Sequence, residues 1–184
     1  PPAVVDALVA EGAAPALQGE RRVLTLLFSD LAGFTAASER LPPEAVAQAL
    51  NAYFSRMTHT VHQHGGTLDK FIGDAIVARF DSGNQVLDAQ NAVMAAWRMQ
   101  EKLLQFNLDS FEEIQIRIGI NSGRVILGNL GSERHRLEYA MIGDNVNIGQ
   151  RLESSAPDRK CMISEATYSL IKEKVLVGER QEIK

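Results

Sequence analysis

The sequence is poor in cysteine, in long apolar runs and in excess positive charge, and each absence excludes a class of protein. Cys161 is the single cysteine, which excludes an intrachain disulfide framework and is typical of a reducing compartment. No apolar run approaches the roughly 20 residues that cross a bilayer, and no signal-peptide pattern opens the chain. The formal net charge of −4 provides no basic surface for nucleic acid. We therefore expect a cytoplasmic domain that contacts neither nucleic acid nor membrane, although its parent protein can be membrane-tethered.

The sequence does contain enough apolar material for one folded domain. Of its 184 residues, 45% are hydrophobic and 23% are charged, as in ordinary globular proteins. Residues 1–20 are rich in alanine, and two interpretations stay open for them: a connector from an upstream module, or a disordered tail. We expect the folded domain to occupy residues 21–184.

The stretch Gly65–Phe80, GGTLDKFIGDAIVARF, has the pattern of a tight hairpin. Two β-prone runs, Thr67–Ile72 and Ala75–Phe80, are separated only by a Gly-Asp pair, which predicts a turn between paired strands. Lys70 lies inside an otherwise apolar strand, and Asp74 lies at the tip. These polar residues fit either a solvated surface hairpin or part of a binding site.

Asp30 favours the binding site. It ends the run Val23–Asp30, the strongest candidate for a buried strand, and the turn LAGFT follows it. Free backbone N–H groups in such a glycine-containing turn bind phosphate. If Asp74 lies beside Asp30 on a neighbouring strand, the two like charges need a cation or a proton to coexist. Hard divalent ions such as Mg2+ or Mn2+ suit these oxygen ligands.

Helical spacing predicts two long helices in the first half of the chain. The first begins near Pro43, a residue suited to the first helical position, and its buried face comprises Val46, Leu50, Tyr53, Met57 and Val61. The second runs from about Asn84 to Phe106, and one face of it comprises Val86, Val93, Trp97, Gln100 and Leu104. We expect Trp97 to lie in the core.

Three histidines crowd the end of the first helix, at His59, His62 and His64. Their spacing does not place all three on one helical face. This favours solvated side chains over a metal site.

The second half of the chain predicts short strands and helices. Isoleucines alternate in Phe111–Asn121, which predicts a half-buried strand with Arg117 on the face opposite to them. A turn at Ser122-Gly123 then leads to a further strand. Helix Gly143–Ser154 carries Asn147 and Arg151 four residues apart, hence on the same face. Further strands are expected at Val125–Leu130, Tyr139–Ile142 and Met162–Ile163, then a last helix to about Lys172 and a hairpin arm at Val175–Lys184.

The order of elements, β-α-β-β-α-β followed by further strands and short helices, predicts an α+β domain. Such a domain has a mainly antiparallel sheet with helices packed on one face of it.

Three segments together resemble a known family. FSDLAGFT, DKFIGDAIVARF and YAMIGDNVNIGQRLE are similar to the signature segments of class III nucleotidyl cyclase catalytic domains, which make cyclic AMP or cyclic GMP. The likeness extends from about Arg21 to Ile183. The resemblance implies a ferredoxin-like βαββαβ core, and a reaction in which the ribose 3′-hydroxyl attacks the α-phosphate and pyrophosphate leaves.

The resemblance also assigns a metal site and a phosphate site. Asp30 and Asp74 match the family's metal-binding aspartates, with the backbone carbonyl of Leu31 as a further ligand. The implied cofactors are two divalent cations, Mg2+ or Mn2+. The residues implied to bind substrate in the turn after Asp30 are Gly33, Phe34 and Thr35.

Further residues match the family's substrate-binding and catalytic positions. Asn147 and Arg151 match the pair that orients the ribose and stabilises the transition-state phosphate. Arg117 matches an arginine that binds the triphosphate. Lys70 matches the lysine that reads adenine, which favours ATP over GTP. The partner base-reading position is Ala140, which cannot hydrogen-bond the base, so we expect weakened discrimination against GTP.

The resemblance implies a head-to-tail homodimer, in which the metal aspartates come from one protomer and Lys70, Asn147 and Arg151 from the other. A basic segment usually follows the point at which this chain ends, so we expect the C-terminal end of the domain to be truncated. The leading hypothesis is an adenylate cyclase. A guanylate or dual-specificity cyclase is the alternative, and a catalytically silent dimerisation or regulatory domain is the alternative of another class.

Overall fold

The domain is built around one sheet with helices on both of its faces. The computed structural model describes residues 19–34, 38, 41–108, 113–132 and 136–183. Its strands are β1 (Glu20–Ala32), β2 (Thr67–Ile72), β3 (Ala75–Phe80), β4 (Gln115–Ser132), β5 (Arg136–Ile142) and β6 (Cys161–Ile163). Its helices are α1 (Pro43–Gln63), α2 (Gln85–Leu108), α3 (Asp144–Ser155) and α4 (Glu165–Ile171).

The strand order in the sheet is β2-β3-β1-β4-β5, with β6 paired to β4. Only the β4–β6 pair is parallel among the described strands. The expected α+β class, the mainly antiparallel sheet and the β-α-β-β-α-β order are therefore confirmed. The connector expected at residues 1–20 lies outside the described residues up to residue 18, and β1 begins at Glu20.

One face of the sheet carries the main core. The alternating Ile116, Ile118 and Ile120 of β4 are completely buried there, as their period of two predicts. Helices α1 and α2 pack on this face, and Tyr53 of α1 is fully buried. Gly66, just after α1, has no room for a side chain, because a Cβ atom would lie 2.7 Å from Phe80. The glycine thus allows the β2–β3 hairpin to pack closely against the end of the helix.

Helix α3 lies on the opposite face, where the sequence led us to expect no helix. Its Gly149 packs on Phe28 of β1, and its Asn145 packs on Gly123 of β4. Phe28 alternates with the buried Leu27 of the main core, so its side chain points to the other side of the sheet. Gly149 in α3 and Gly123 in β4 permit the helix to approach the sheet this closely. The alternation of apolar residues in the strands does not predict this contact.

The expected turn at Ser122-Gly123 is wrong, because β4 continues through it as one strand of 18 residues. Ser122 pairs with Thr25 in β1, and its hydroxyl forms hydrogen bonds with the hydroxyls of Thr25 (2.8 Å) and Thr167 (3.0 Å). The serine is therefore a buried polar link between β1, β4 and α4. The Ser122 hydroxyl, which in a turn would bond the backbone nearby, finds its hydrogen-bond partners on β1 and α4 instead.

Trp97 is not in the core but 65% exposed. The buried face of α2 is built from the small residues Ala89, Ala92, Ala95 and Ala96 together with Met99 and Leu103. A face of small side chains lets α2 approach the sheet closely, and the indole is directed away from it. The arm expected at Val175–Lys184 is also wrong for its described part, since residues 175–183 contain neither helix nor strand.

Among the described residues, no helix combines the length and apolar character needed to cross a membrane.

Candidate active site

The end of β1 and the tip of the β2–β3 hairpin converge at one edge of the sheet. Pairing of β1 with β3 stops at Ser29, whereas pairing of β1 with β4 continues to Ala32. The edge of β1 that faces the hairpin is therefore open from Asp30 onward. Asp74 lies in the hairpin turn, directly before Ala75, the first residue of β3. The residue before it, Gly73, has a φ of 61°, which glycine adopts without strain and which allows the tight turn.

Asp30 and Asp74 share one electrostatic environment. Both side chains are half-buried. Burial raises the pKa of Asp74 above its ordinary value, and the negative charge of Asp30 raises it further. Arg117 and a backbone hydrogen bond act in the opposite direction on this pKa. The two carboxylates therefore repel each other across a partly desolvated site, which a bound cation would relieve.

Arg117 is a cationic residue in contact with Asp30. It is the residue opposite Asp30 in the β1–β4 register, and its Nη2 donates a hydrogen bond of 2.9 Å to Oδ2 of Asp30. Its Nε lies 3.7 Å from Oε1 of Glu153 in α3. Arg117 is on the face opposite to the isoleucines, as expected, and its partly exposed side chain contacts two carboxylates.

Glu153 is a site residue that the sequence reasoning missed. It is 7% exposed, and burial raises the pKa of its carboxyl, with a further rise from the charge of Asp30. Helix α3 brings it there because Gly119 lies directly beneath the Glu153 backbone, where a Cβ atom would collide with the peptide nitrogen. The available signal was Gly119 itself, a residue without a side chain next to Ile118 on a strand of alternating isoleucines.

The orientation of Lys70 depends on a β-bulge. The β2–β3 register shifts between Leu68 and Lys70, so that Asp69 is an extra residue. Regular alternation would put Leu68 and Lys70 on one face. With the bulge, Leu68 packs against the main core, whereas Lys70 pairs with Val77 on the face that carries α3. Lys70 Nζ also lies 3.8 Å from Oδ2 of the buried Asp69.

Asn147 and Arg151 lie on the outer side of α3, both exposed. They share one helical face, as expected, and line a cavity of about 470 Å³ together with Gln150, Ser154 and Ser155. Among the described residues, no hydrogen bond or ion pair joins Asn147 or Arg151 to Asp30 or Asp74. In the described part of one chain, no polar interaction therefore joins the two halves of the expected site.

Known proteins resemble this chain in sequence and in structure. The sequence model of one protein family, the adenylate and guanylate cyclase catalytic domain, matches residues 18–184. The chain belongs to this family. The class III nucleotidyl cyclase resemblance of the sequence motifs is thereby confirmed.

Individual relatives of this cyclase domain include enzymes named for either nucleotide. The chain is 36% identical to the adenylate cyclase of Anabaena cylindrica over 150 residues, covering 77% of the chain and 29% of that protein. The adenylyl cyclase CyaB from P. aeruginosa is similar in structure, with a TM-score of 0.80, 36% identity, and coverage of 87% of this chain and 85% of the other. The guanylyl cyclase Cya2 has a TM-score of 0.76, 39% identity, and coverage of 83% and 79% respectively. The chain thus spans less than a third of the Anabaena protein and most of each solved structure.

The remaining family-implied positions of the cyclase domain are distributed as follows. Leu31 is only 3% exposed, and because its side chain carries no ligand atom, its backbone carbonyl is the group that it could offer. Gly33 has a φ of 74° and is exposed, and Phe34 packs its side chain against the core. Thr35 lies outside the described residues. Ala140 is half-buried in β5, opposite Gly128 of β4.

The residues at the open edge of β1 fit a divalent cation. Asp30 and Asp74 supply hard oxygen donors, and their mutual repulsion favours an added positive charge. The described residues contain no group of three or more His, Cys, Asp or Glu side chains arranged to hold a metal. Mg2+ usually binds through one or two carboxylates together with substrate phosphates, so a pair of aspartates is sufficient. The clustered histidines do not form such a site: His62 and His64 each form a hydrogen bond with a backbone carbonyl.

Proposed function

We propose that this chain is the catalytic domain of a nucleotidyl cyclase that converts ATP into 3′,5′-cyclic AMP and pyrophosphate at a homodimer interface. The observation that carries the proposal is that Asp30 and Asp74 lie close enough at the open end of β1 for the charge of Asp30 to raise the pKa of Asp74. This pair of carboxylates supports an acidic site at the positions of two of the family motifs. Family membership, with relatives named adenylate cyclase, supports the reaction class.

The acidic site would hold the cations and the phosphates. Asp30 and Asp74, with the carbonyl of Leu31, would bind two divalent cations, Mg2+ or Mn2+. When bound, such cations supply Lewis-acid activation of a hydroxyl and neutralise phosphate charge. The exposed turn at Gly33 would present backbone N–H groups to the phosphates. In this reaction the ribose 3′-oxygen would attack the α-phosphorus and its proton would pass to water. The bond from the α-phosphorus to the oxygen that bridges it to the β-phosphate would break, and pyrophosphate would leave.

Asn147 and Arg151 would act on the ribose and the reacting phosphate. The amide of Asn147 would orient the ribose for attack, and the guanidinium of Arg151 would stabilise charge that develops on the phosphoryl oxygens. Their exposure on the outer side of α3 leaves both side chains available to a nucleotide. Because no polar interaction joins them to Asp30 or Asp74 in the described part of one chain, a second protomer would complete each site. This is the support for a head-to-tail homodimer.

Lys70 would read the base. The bulge at Asp69 directs it to the face that carries α3, where an ammonium donor suits the N1 acceptor of adenine. Ala140 offers no second hydrogen bond to the base. That absence favours a second candidate, a dual-specificity or guanylate cyclase, which agrees with the 39% identity to the guanylyl cyclase Cya2.

The test is metal-dependent product formation by the purified chain. With Mn2+ present, we expect cyclic AMP from ATP, and a loss of about 100-fold or more in Asp30→Asn and Asp74→Asn. Parallel reactions with GTP measure specificity, since faster production of cyclic GMP would replace the leading proposal with the second candidate. No product from either nucleotide, from a folded dimer of the chain, would support a silent dimerisation domain instead.

A further inference from the structure

Two buried polar atoms of the acidic site face each other without forming a hydrogen bond. The Nε of Arg117 and the Oε1 of Glu153 are both shielded from solvent, and neither has a hydrogen-bond partner among the described residues. They lie 3.7 Å apart, beyond the roughly 2.7–3.2 Å of an N–H···O bond. Buried groups of this kind are normally satisfied, so the gap requires an explanation.

The gap exists because Arg117 is held on the other side. Its Nη2 donates to Asp30 at 2.9 Å, and this bond keeps the guanidinium away from Glu153. A movement of the guanidinium of well under 1 Å would give both buried atoms their missing bond, and an arginine released from Asp30 is free to make it. The arginine therefore has two carboxylate partners, with a hydrogen bond to Asp30 and a longer ion pair with Glu153.

Glu153 is rigidly placed to act as the second partner. It lies on α3, whose backbone rests directly on Gly119 of β4. Its other oxygen, Oε2, accepts a hydrogen bond of 3.2 Å from the Ser154 hydroxyl, which leaves Oε1 directed at Arg117. The carboxylate does not have to move to receive the guanidinium.

We propose that Glu153 is a positioning residue that receives Arg117 when a divalent cation binds Asp30. Without this second carboxylate, the guanidinium would stay on Asp30 and compete with the cation for the same oxygen. The inference rests on the proposed function for the identity of the metal site. It adds a role for Glu153 that acts through Arg117 and not by contact with metal or nucleotide.

The experiment measures Mn2+ binding to the nucleotide-free chain by electron paramagnetic resonance. We expect Glu153→Gln to weaken Mn2+ binding by about three- to tenfold, because the arginine then loses its alternative partner. Arg117→Met should bind Mn2+ more tightly than wild type, since the competing cation is gone. Glu101→Gln is the matched control: it removes an exposed carboxylate from a different arginine pair, with Arg98, and should leave Mn2+ binding unchanged.

Two further variants separate this role from a simple effect of charge or folding. Glu153→Asp keeps the charge but shortens the side chain, so it should also weaken Mn2+ binding, whereas a pure field effect predicts no change. In the Arg117→Met background, Glu153→Gln should have a clearly smaller effect on Mn2+ binding, limited to the loss of one nearby negative charge. Equal effects of Glu153→Gln in both backgrounds, or wild-type binding in Glu153→Asp, would overturn the proposal.

Cyclase activity is recorded separately on the same samples. A chain that binds Mn2+ with the expected pattern but forms no cyclic nucleotide would support the role of Glu153 and contradict the proposed function. An active chain whose Mn2+ affinity does not change when Glu153 is substituted would support the proposed function and contradict the role of Glu153. Circular dichroism of each variant checks the fold, and Glu153→Asp serves as the decisive variant if Glu153→Gln does not fold.

Discussion

Gly119 of β4 lies directly beneath the backbone of Glu153 in α3, with no room between them for a Cβ atom. This contact sets the height of α3 above the sheet. It also sets the position of the Glu153 carboxylate relative to Arg117. The three residues, Gly119, Arg117 and Glu153, belong to two elements, and no single motif contains them all. The packing of one glycine is thus tied to the electrostatics of the acidic site.

Gly119→Ala should destabilise the domain. The added methyl group collides with backbone and not with a flexible side chain, so α3 must shift, and we expect a loss of about 1–3 kcal/mol in the free energy of unfolding. Urea denaturation measures it. Gly178→Ala is the matched control, because nothing lies within 4 Å of its Cβ position. Equal stability of the two variants would show that α3 does not rest on Gly119.

Tyr53→Phe should change the pH dependence of stability at alkaline pH. Burial raises the pKa of Tyr53 above its ordinary 10.0, a contact with the Ser29 hydroxyl lowers it, and the charges of Asp30 and Asp74 raise it further. The unfolded chain therefore ionises this tyrosine near pH 10 while the folded chain keeps it neutral, so the folded state loses stability as pH rises above that value.

The phenylalanine variant lacks this ionisation. The stability difference between the variant and wild type should shift in favour of the variant by up to about 1.4 kcal/mol between pH 8 and pH 11. Urea denaturation at the two pH values measures the shift, and the pH 8 value corrects for the lost Ser29 contact. Parallel pH dependence in both proteins would contradict the raised pKa of Tyr53.

Ala140→Thr should sharpen base selection. A threonine hydroxyl would give the base the hydrogen bond that alanine lacks, and we expect the ratio of ATP to GTP turnover to rise by about tenfold. Steady-state rates with each nucleotide measure the ratio. Ala140→Val has nearly the shape of threonine without the hydroxyl and should leave the ratio unchanged. If valine changes the ratio as much as threonine does, the effect comes from packing and not from a hydrogen bond.

Two inactive variants should regain activity when they are mixed. Asp30→Ala removes a proposed cation ligand and Asn147→Ala removes the proposed ribose contact, and no hydrogen bond or ion pair joins these two residues in the described part of the chain. In a head-to-tail heterodimer, one of the two sites keeps all its residues, so up to about a quarter of wild-type activity is expected in an equimolar mixture. Mixing Asp30→Ala with Asp74→Ala is the control, because both defects fall in the same half-site. Absence of recovery in the first mixture would contradict a site shared between protomers.

Trp97 should behave as an exposed fluorophore. It is the single tryptophan, and it is 65% exposed on α2. We expect emission close to that of tryptophan in water and efficient quenching by acrylamide in the folded chain, with little further change in denaturant. A blue-shifted emission protected from acrylamide would mean that something covers this face of α2 in solution.

The local patterns of the sequence predicted most element bounds. The β2–β3 hairpin and the first helix follow directly from glycine, proline and hydrophobic period, which act over a few residues. The prediction for Trp97 was wrong because helical periodicity identifies which residues share a face but not which face is buried. In α2 the alanines occupy the buried face, since close packing on a sheet selects small side chains over large ones.

The candidate site divides in the same way. The sequence by itself determined that Asp30 ends a strand, that Asp74 occupies a hairpin tip, and that Asn147 and Arg151 share one side of a helix, because each depends on neighbours along the chain. Only the tertiary structure decided that Arg117 lies between Asp30 and Glu153, that the bulge at Asp69 redirects Lys70, and that α3 crosses the second face of the sheet. Those features arise where separate strands and helices meet, and the distances there are set by packing between elements that no local pattern encodes.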